Sequence, residues 1–168
     1  RDNCMTFGLG VYGSLREQSG GFLYDRRLVR RLEARGHRVE VFALPWRPYA
    51  ACLADNLRLG FWRRLARAPL DVLLQDELCH PSLAFGTRWL RRKVGYPVVG
   101  IVHHLRASEH RPTWQNTLYG LVERIYLGGL DACVYNSATT QSVVERLPGP
   151  RSGKGRRCPL ILRSLISS

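Results

Sequence analysis

Lysine is almost missing from this chain. Among 168 residues it occurs only at Lys93 and Lys154, so nearly all of the 26 basic residues are arginine, against 13 acidic ones. The resulting net charge of +13 attracts anions, whether nucleic acid, lipid head groups or phosphorylated substrates, without choosing among them. An arginine-preferring genome that places Arg wherever a cation is acceptable gives the same number. Charge alone is not a function.

Other absences narrow the class. No apolar run reaches the roughly 18–20 residues of a membrane span, and Arg1-Asp2-Asn3-Cys4-Met5 has no apolar signal core with a small-residue cleavage site. Cys4, Cys52, Cys79, Cys133 and Cys158 are odd in number, scattered, and form no CxxC pair. That pattern points to reduced thiols in a cytosolic protein. There is no HExxH, and His103, His104 and His110 have no acidic or cysteine pattern at ligand spacing, so no zinc site is expected. Gly149-x-x-x-Gly153-Lys154 is one residue short of a P-loop and is followed by Gly155, not Ser or Thr. Aromatic-interleaved basic strands and a helix-turn-helix pattern are also missing, which argues against specific nucleic-acid binding.

What remains is an ordinary globular composition, 45% hydrophobic and 23% charged, on a length suited to one domain. Phe7 to Gly13 reads as a short buried strand, and Ser19-Gly20-Gly21 as a small-residue turn. Phe22 to Arg35 follows as a helix closed by Gly36-His37, and Arg38 to Ala43 as a second strand. Asp25 lies one turn into that helix, where an exposed carboxylate favours the positive dipole end by about 0.3–1 kcal/mol. Pro45-Trp46-Arg47-Pro48 stops both helix and ladder. Leu53, Leu57, Phe61 and Leu65 then share one face of a helix. Asp71 to Gln75 is a third strand ending in Asp76-Glu77, and Pro81 to Lys93 a helix with proline in its first turn. Tyr96 to Val102 is continuous and apolar, as in a strand covered on both faces, and ends at His103-His104. Thr113 to Gly129 is helical, Asp131 to Tyr135 a fifth strand, and Ser137 caps a last helix.

This alternation predicts an α/β fold: a Rossmann-like parallel sheet with helices on both faces. The domain spans residues 1–147, and residues 148–168 form a basic Gly/Pro-rich tail, a linker or disordered end. Ligands of such sheets bind at the carboxyl ends of the strands near the switch point, which singles out Gly20 and Gly21, Asp76 to His80, His103-His104 and Asn136-Ser137.

Several ordered pieces resemble the N-terminal half of GT-B-fold glycosyltransferases of family 4. They are Ser19-Gly20-Gly21, then Leu32-x-x-Arg35-Gly36-His37-x-Val39-x-Val41, and Val102-His103-His104-Leu105. Glu123-Arg124 before Leu130-Asp131, and Asn136-Ser137-x-Thr139-Thr140, complete the set. The resemblance runs from about Phe7 to Leu147. It implies the acceptor-side domain of a retaining nucleotide-sugar-dependent enzyme, with the donor-binding domain and its paired glutamates beyond Ser168 and this fragment inactive alone. It implies a nucleotide sugar as substrate, a sugar or lipid-linked acceptor, no other cofactor and no metal.

Under that reading, Gly20 and Gly21 place main-chain N–H groups against donor phosphates. His103 or His104 orients the reacting sugar, and the sequence does not choose between them. Asp76 takes the acceptor's proton and Glu77 binds its hydroxyls, although polar residues ending a strand explain both equally. Arg106, Asn136 and Ser137 contact acceptor, with helix capping the plainer account of Ser137. Arg58, Trp62, Arg63, Arg64 and Arg67 suit peripheral contact with an anionic membrane at its inner face, against the plainer reading of a solvated helix face. A non-catalytic basic α/β module binding nucleic acid or anionic membrane is the alternative.

Overall fold

The computed structural model describes residues 4–13, 20–102 and 113–135. Its strands are β1 (Thr6–Tyr12), β2 (Arg38–Leu44), β3 (Val72–Asp76), β4 (Val98–Val102) and β5 (Ala132–Tyr135). Between them run α1 (Gly20–Ala34), α2 (Tyr49–Ala54), α3 (Leu59–Arg67), α4 (His80–Lys93) and α5 (Thr113–Gly129). Short 3-10 turns at Asp55–Leu57 and Glu77–Cys79 precede α3 and α4. All neighbouring strands are parallel, in the order β2-β1-β3-β4-β5. The expected Rossmann-like α/β architecture is therefore present. The last helix expected after Ser137, and the tail from residue 148, lie outside the described residues.

Period-two alternation divides the core into two layers. Phe7, Leu9, Val11, Leu74 and Ile101 pack against Leu28 and Leu32 of α1 on one face. Tyr12, Phe42, Leu73, Val98 and Val102 meet Trp62, Leu65, Leu83, Leu90 and Tyr126 from α3, α4 and α5 on the other. Both sides of the central strands are dry, which is why they read as unbroken apolar runs. Gly36 (φ 80°) ends α1 in the left-handed region, and the His37 N–H reaches back to the Leu32 carbonyl at 3.0 Å.

The strand starts share a device. The Asp71 carboxylate accepts the Thr6 N–H at 2.7 Å, while the Asp71 N–H donates to the Thr6 carbonyl at 2.8 Å. Asp131 repeats this with Val98, at 2.9 and 2.8 Å, and also meets Arg91 Nε at 2.6 Å. Each aspartate thus pins the first rung between its own strand and the next. Asp131→Ala is expected to cost about 1.5 kcal/mol, the lower end for a charged hydrogen bond because Arg91 keeps contact with water. A lowered urea midpoint at unchanged slope would show it; an unmoved midpoint would mean that the rung holds without its aspartate.

One expected element is different. The face Leu53-Leu57-Phe61-Leu65 belongs to no single helix, because the chain breaks between α2 and α3 at Arg58 (φ −75°, ψ 79°). Asn56 accounts for the break. Its side-chain amide donates to the Leu53 and Pro81 carbonyls at 2.9 and 2.7 Å and accepts the Phe85 and Gly86 N–H groups at 3.0 and 3.3 Å. Hydrogen bonds to α4 replace those of a continuous helix. Leu57 is left facing solvent, and Trp62, read as an interfacial residue, is buried in the core.

Candidate functional site

The chain passes from β1 to β2 on one side and then crosses from β2 to β3 on the other side of β1, so the switch point lies between β1 and β3. A crevice beyond the carboxyl ends of these two strands is where such sheets take ligands. Gly13 (φ 60°) ends β1, its N–H donating to the Leu44 carbonyl at 2.7 Å. Gly20, expected to face phosphate, is the first residue of α1 and Gly21 the second. Across the crevice β3 ends at Asp76, whose carboxylate accepts the Leu78 N–H at 3.1 Å and so starts the turn leading into α4. His103, His104, Arg106, Asn136 and Ser137 all lie outside the described residues.

β3 ends at Asp76 and Glu77 opens the 3-10 turn after it, and the two acids have different partners. Asp76 turns toward α1 and meets Asp25. Asp25 is not the exposed dipole partner expected of it: it is fully buried, and neither carboxyl oxygen receives a hydrogen bond from any described residue. Burial, then the Asp76 charge and a side-chain hydrogen bond to Asp76, push its carboxyl up to about 8. The buried pair therefore favours a neutral Asp25 carboxyl at neutral pH. Cys79, also fully buried, has its thiol pushed well up by burial and by the same two acids, and is held as an inert thiol.

Glu77 is buried with His80 and Glu123, and one ligand atom from each lies within 4.8 Å of the others. A cation would fit three such donors. However, His80 Nδ1 donates to the Glu77 carbonyl at 3.0 Å and Nε2 faces the Tyr49 hydroxyl at 3.4 Å. Both ring nitrogens are engaged, and we read a hydrogen-bonded network that fixes the β3–α4 turn. Beside it, the Tyr12 and Ser82 hydroxyls meet at 2.7 Å, and Ser82 donates to Asp55 at 3.1 Å. With the Ser82 proton spent on Asp55, Tyr12 is the donor to Ser82. Arg47 and Arg58, both half-exposed, neutralise the buried Asp55 at 3.3 and 3.7 Å. Burial drives the Tyr12 phenol upward and keeps it protonated.

The structure thus joins Asp76 to the helix headed by Gly20 and Gly21, and gives Glu77 other partners. Both acids are enclosed, each fixing the ground beneath the crevice. Asp25, Asp55, His80 and Glu123 form the rest of that ground. His80 lies in the Asp76 to His80 stretch that the strand end singled out. For Asp25, Asp55 and Glu123 the advance signal was sign, since an acid inside an apolar-periodic segment of so basic a chain has few reasons to be there except a buried partner. Among the described residues no helix is long and apolar enough to cross a membrane. Set against protein-family models and against curated proteins, the chain matches none. Fold and site define a five-stranded parallel α/β domain with a polar crevice floor at its switch point.

Proposed function

We propose that this domain is the acceptor-side half of a retaining, nucleotide-sugar-dependent glycosyltransferase. One observation carries the reading: α1 begins at Gly20 on the crevice side of β1, beside the end of β3. The first-turn N–H groups of a helix have no intrahelical partner, and its dipole adds a partial positive charge, so a donor diphosphate is met there without a side chain in the way. The enclosed Asp25 and Asp76 join the first turns of α1 to the end of β3. The ordered set of residues shared with family 4 supplies the reaction class, and a second, donor-binding domain supplies most leaving-group contacts.

The reading requires coding sequence beyond Ser168 that specifies a second strand–helix array with paired glutamates. With that part included, calorimetry is expected to detect binding of a UDP- or GDP-sugar, and Gly20→Val with Gly21→Val to weaken it at least about tenfold. Failure of every nucleotide sugar to bind the extended protein would overturn the assignment.

A further inference from the structure

Leu57, α3 and the part of α4 from Phe85 onward contribute none of the residues beneath the crevice. Four large apolar side chains stand out of this flank: Leu57 (81% exposed), Leu59 (63%), Phe85 (51%) and Trp89 (44%). They surround a cavity of about 570 Å³ whose wall includes Leu53 and Trp62. Scattered exposed leucines are ordinary on protein surfaces, but a contiguous apolar group around an open cavity is not.

Charge around the cavity has one sign. Between Pro45 and Leu70 the only acid is Asp55, which is buried under Arg47 and Arg58, and between His80 and Val102 there is none. Along α4 the exposed Phe85, Arg88, Trp89 and Arg92 fall on one helical stripe, and along α3 Leu59, Arg63 and Arg67 do the same. Arg64 is paired with Glu40 and Arg91 with Asp131. Arg63, Arg67, Arg88, Arg92 and Lys93 make no ion pair among the described residues. Apolar and aromatic side chains interleaved with unpaired arginines, with no acid along α3 or α4, match the boundary between acyl chains and anionic head groups.

We propose that the α3–α4 flank docks the protein on an anionic phospholipid bilayer. Leu57, Leu59, Phe85 and Trp89 enter the outer acyl region, and Arg63, Arg67, Arg88 and Arg92 lie at the phosphates. The other occupants lack complementary charge. A second copy presents the same cations, and residues 136–168 carry Arg146, Arg151, Lys154, Arg156, Arg157 and Arg163 against one acid, Glu145. The docking surface stands independently of the reaction. If the glycosyltransferase reading also holds, on which this clause rests, the acceptor is lipid-borne.

The test is co-sedimentation of the whole chain with vesicles of phosphatidylglycerol and phosphatidylcholine in equal parts, at low salt. Binding is expected to exceed that to pure phosphatidylcholine at least about tenfold, and to fall about tenfold both in Phe85→Ser/Trp89→Ser and in Arg88→Glu/Arg92→Glu. These positions are exposed, so thermal melts should match the parent. Phosphatidylcholine brominated along its acyl chains, mixed into the same vesicles, should quench tryptophan emission, and Trp89→Phe should remove most of that quenching. Absence of sedimentation overturns the proposal. So does binding undiminished by the apolar pair, which would report adsorption by net charge, and quenching that survives Trp89→Phe. A vesicle-free dimer abolished by Leu57→Ser assigns the face to a second copy and overturns it as well. None of these results depends on nucleotide-sugar binding, so the two readings fail separately.

Discussion

Above about pH 8, Asp25→Asn is expected to be more stable than the parent, and below about pH 4 the advantage should vanish. The folded chain holds the Asp25 proton up to about 8. The unfolded chain releases it near the ordinary aspartate value of about 4. Between these limits the native state binds more protons, so stability falls as pH rises, by up to about 1.4 kcal/mol per pH unit from this group alone. Below both values the carboxyl is neutral in each state and contributes no slope. Asparagine keeps the shape, supplies an N–H toward Asp76 and has nothing to lose at high pH. Urea midpoints across this range measure the effect. An asparagine variant weaker by the same amount at every pH would mean that the Asp25 carboxyl titrates alike in the folded and unfolded chain.

Gly86→Ala is the second large effect, with an expected loss of about 3 kcal/mol. A Cβ at Gly86 would overlap the Cζ2 and Cε2 ring atoms of Trp62. That ring is rigid and buried, and its Nε1–H donates to the Asn56 carbonyl at 3.0 Å. It cannot swing aside without breaking this bond and collapsing the wall of the flank cavity. Gly60→Ala is the internal control: nothing lies within 4 Å of a Cβ there, and alanine in α3 should add roughly 0.5–1 kcal/mol. Chemical denaturation of both variants reads opposite signs from the same one-carbon change. A harmless Gly86→Ala would show that α4 packs on Trp62 more loosely than described.

Strand and helix order was legible because apolar runs, proline and glycine punctuation and helical spacing all agreed along the chain. Boundaries moved by a residue or two, as at β4, which starts at Val98 and not at Tyr96. The α2–α3 break was not legible, because Asn56 spends its amide on Pro81, Phe85 and Gly86 in α4, contacts that no local pattern announces. Asp25 misled for a related reason. Helical position explains a carboxylate near a helix start, and only the pairing of distant elements shows that Asp76 occupies the space facing it. The rim residues Gly20 and Asp76 were visible because they end or begin elements. His80 and Glu123 meet only once α5 packs against α4, so their proximity is a property of topology. The basic flank was partly visible in its arginines, but Trp89, and not Trp62, is its exposed indole.

Asp71 and Asp131 fasten the sheet at the end of the strands remote from the crevice. Strand alignment is thereby anchored by groups that no ligand approaches. Loops on the opposite side can then change length and chemistry without the strands sliding past one another, which leaves that side free to acquire a new specificity on an unchanged base.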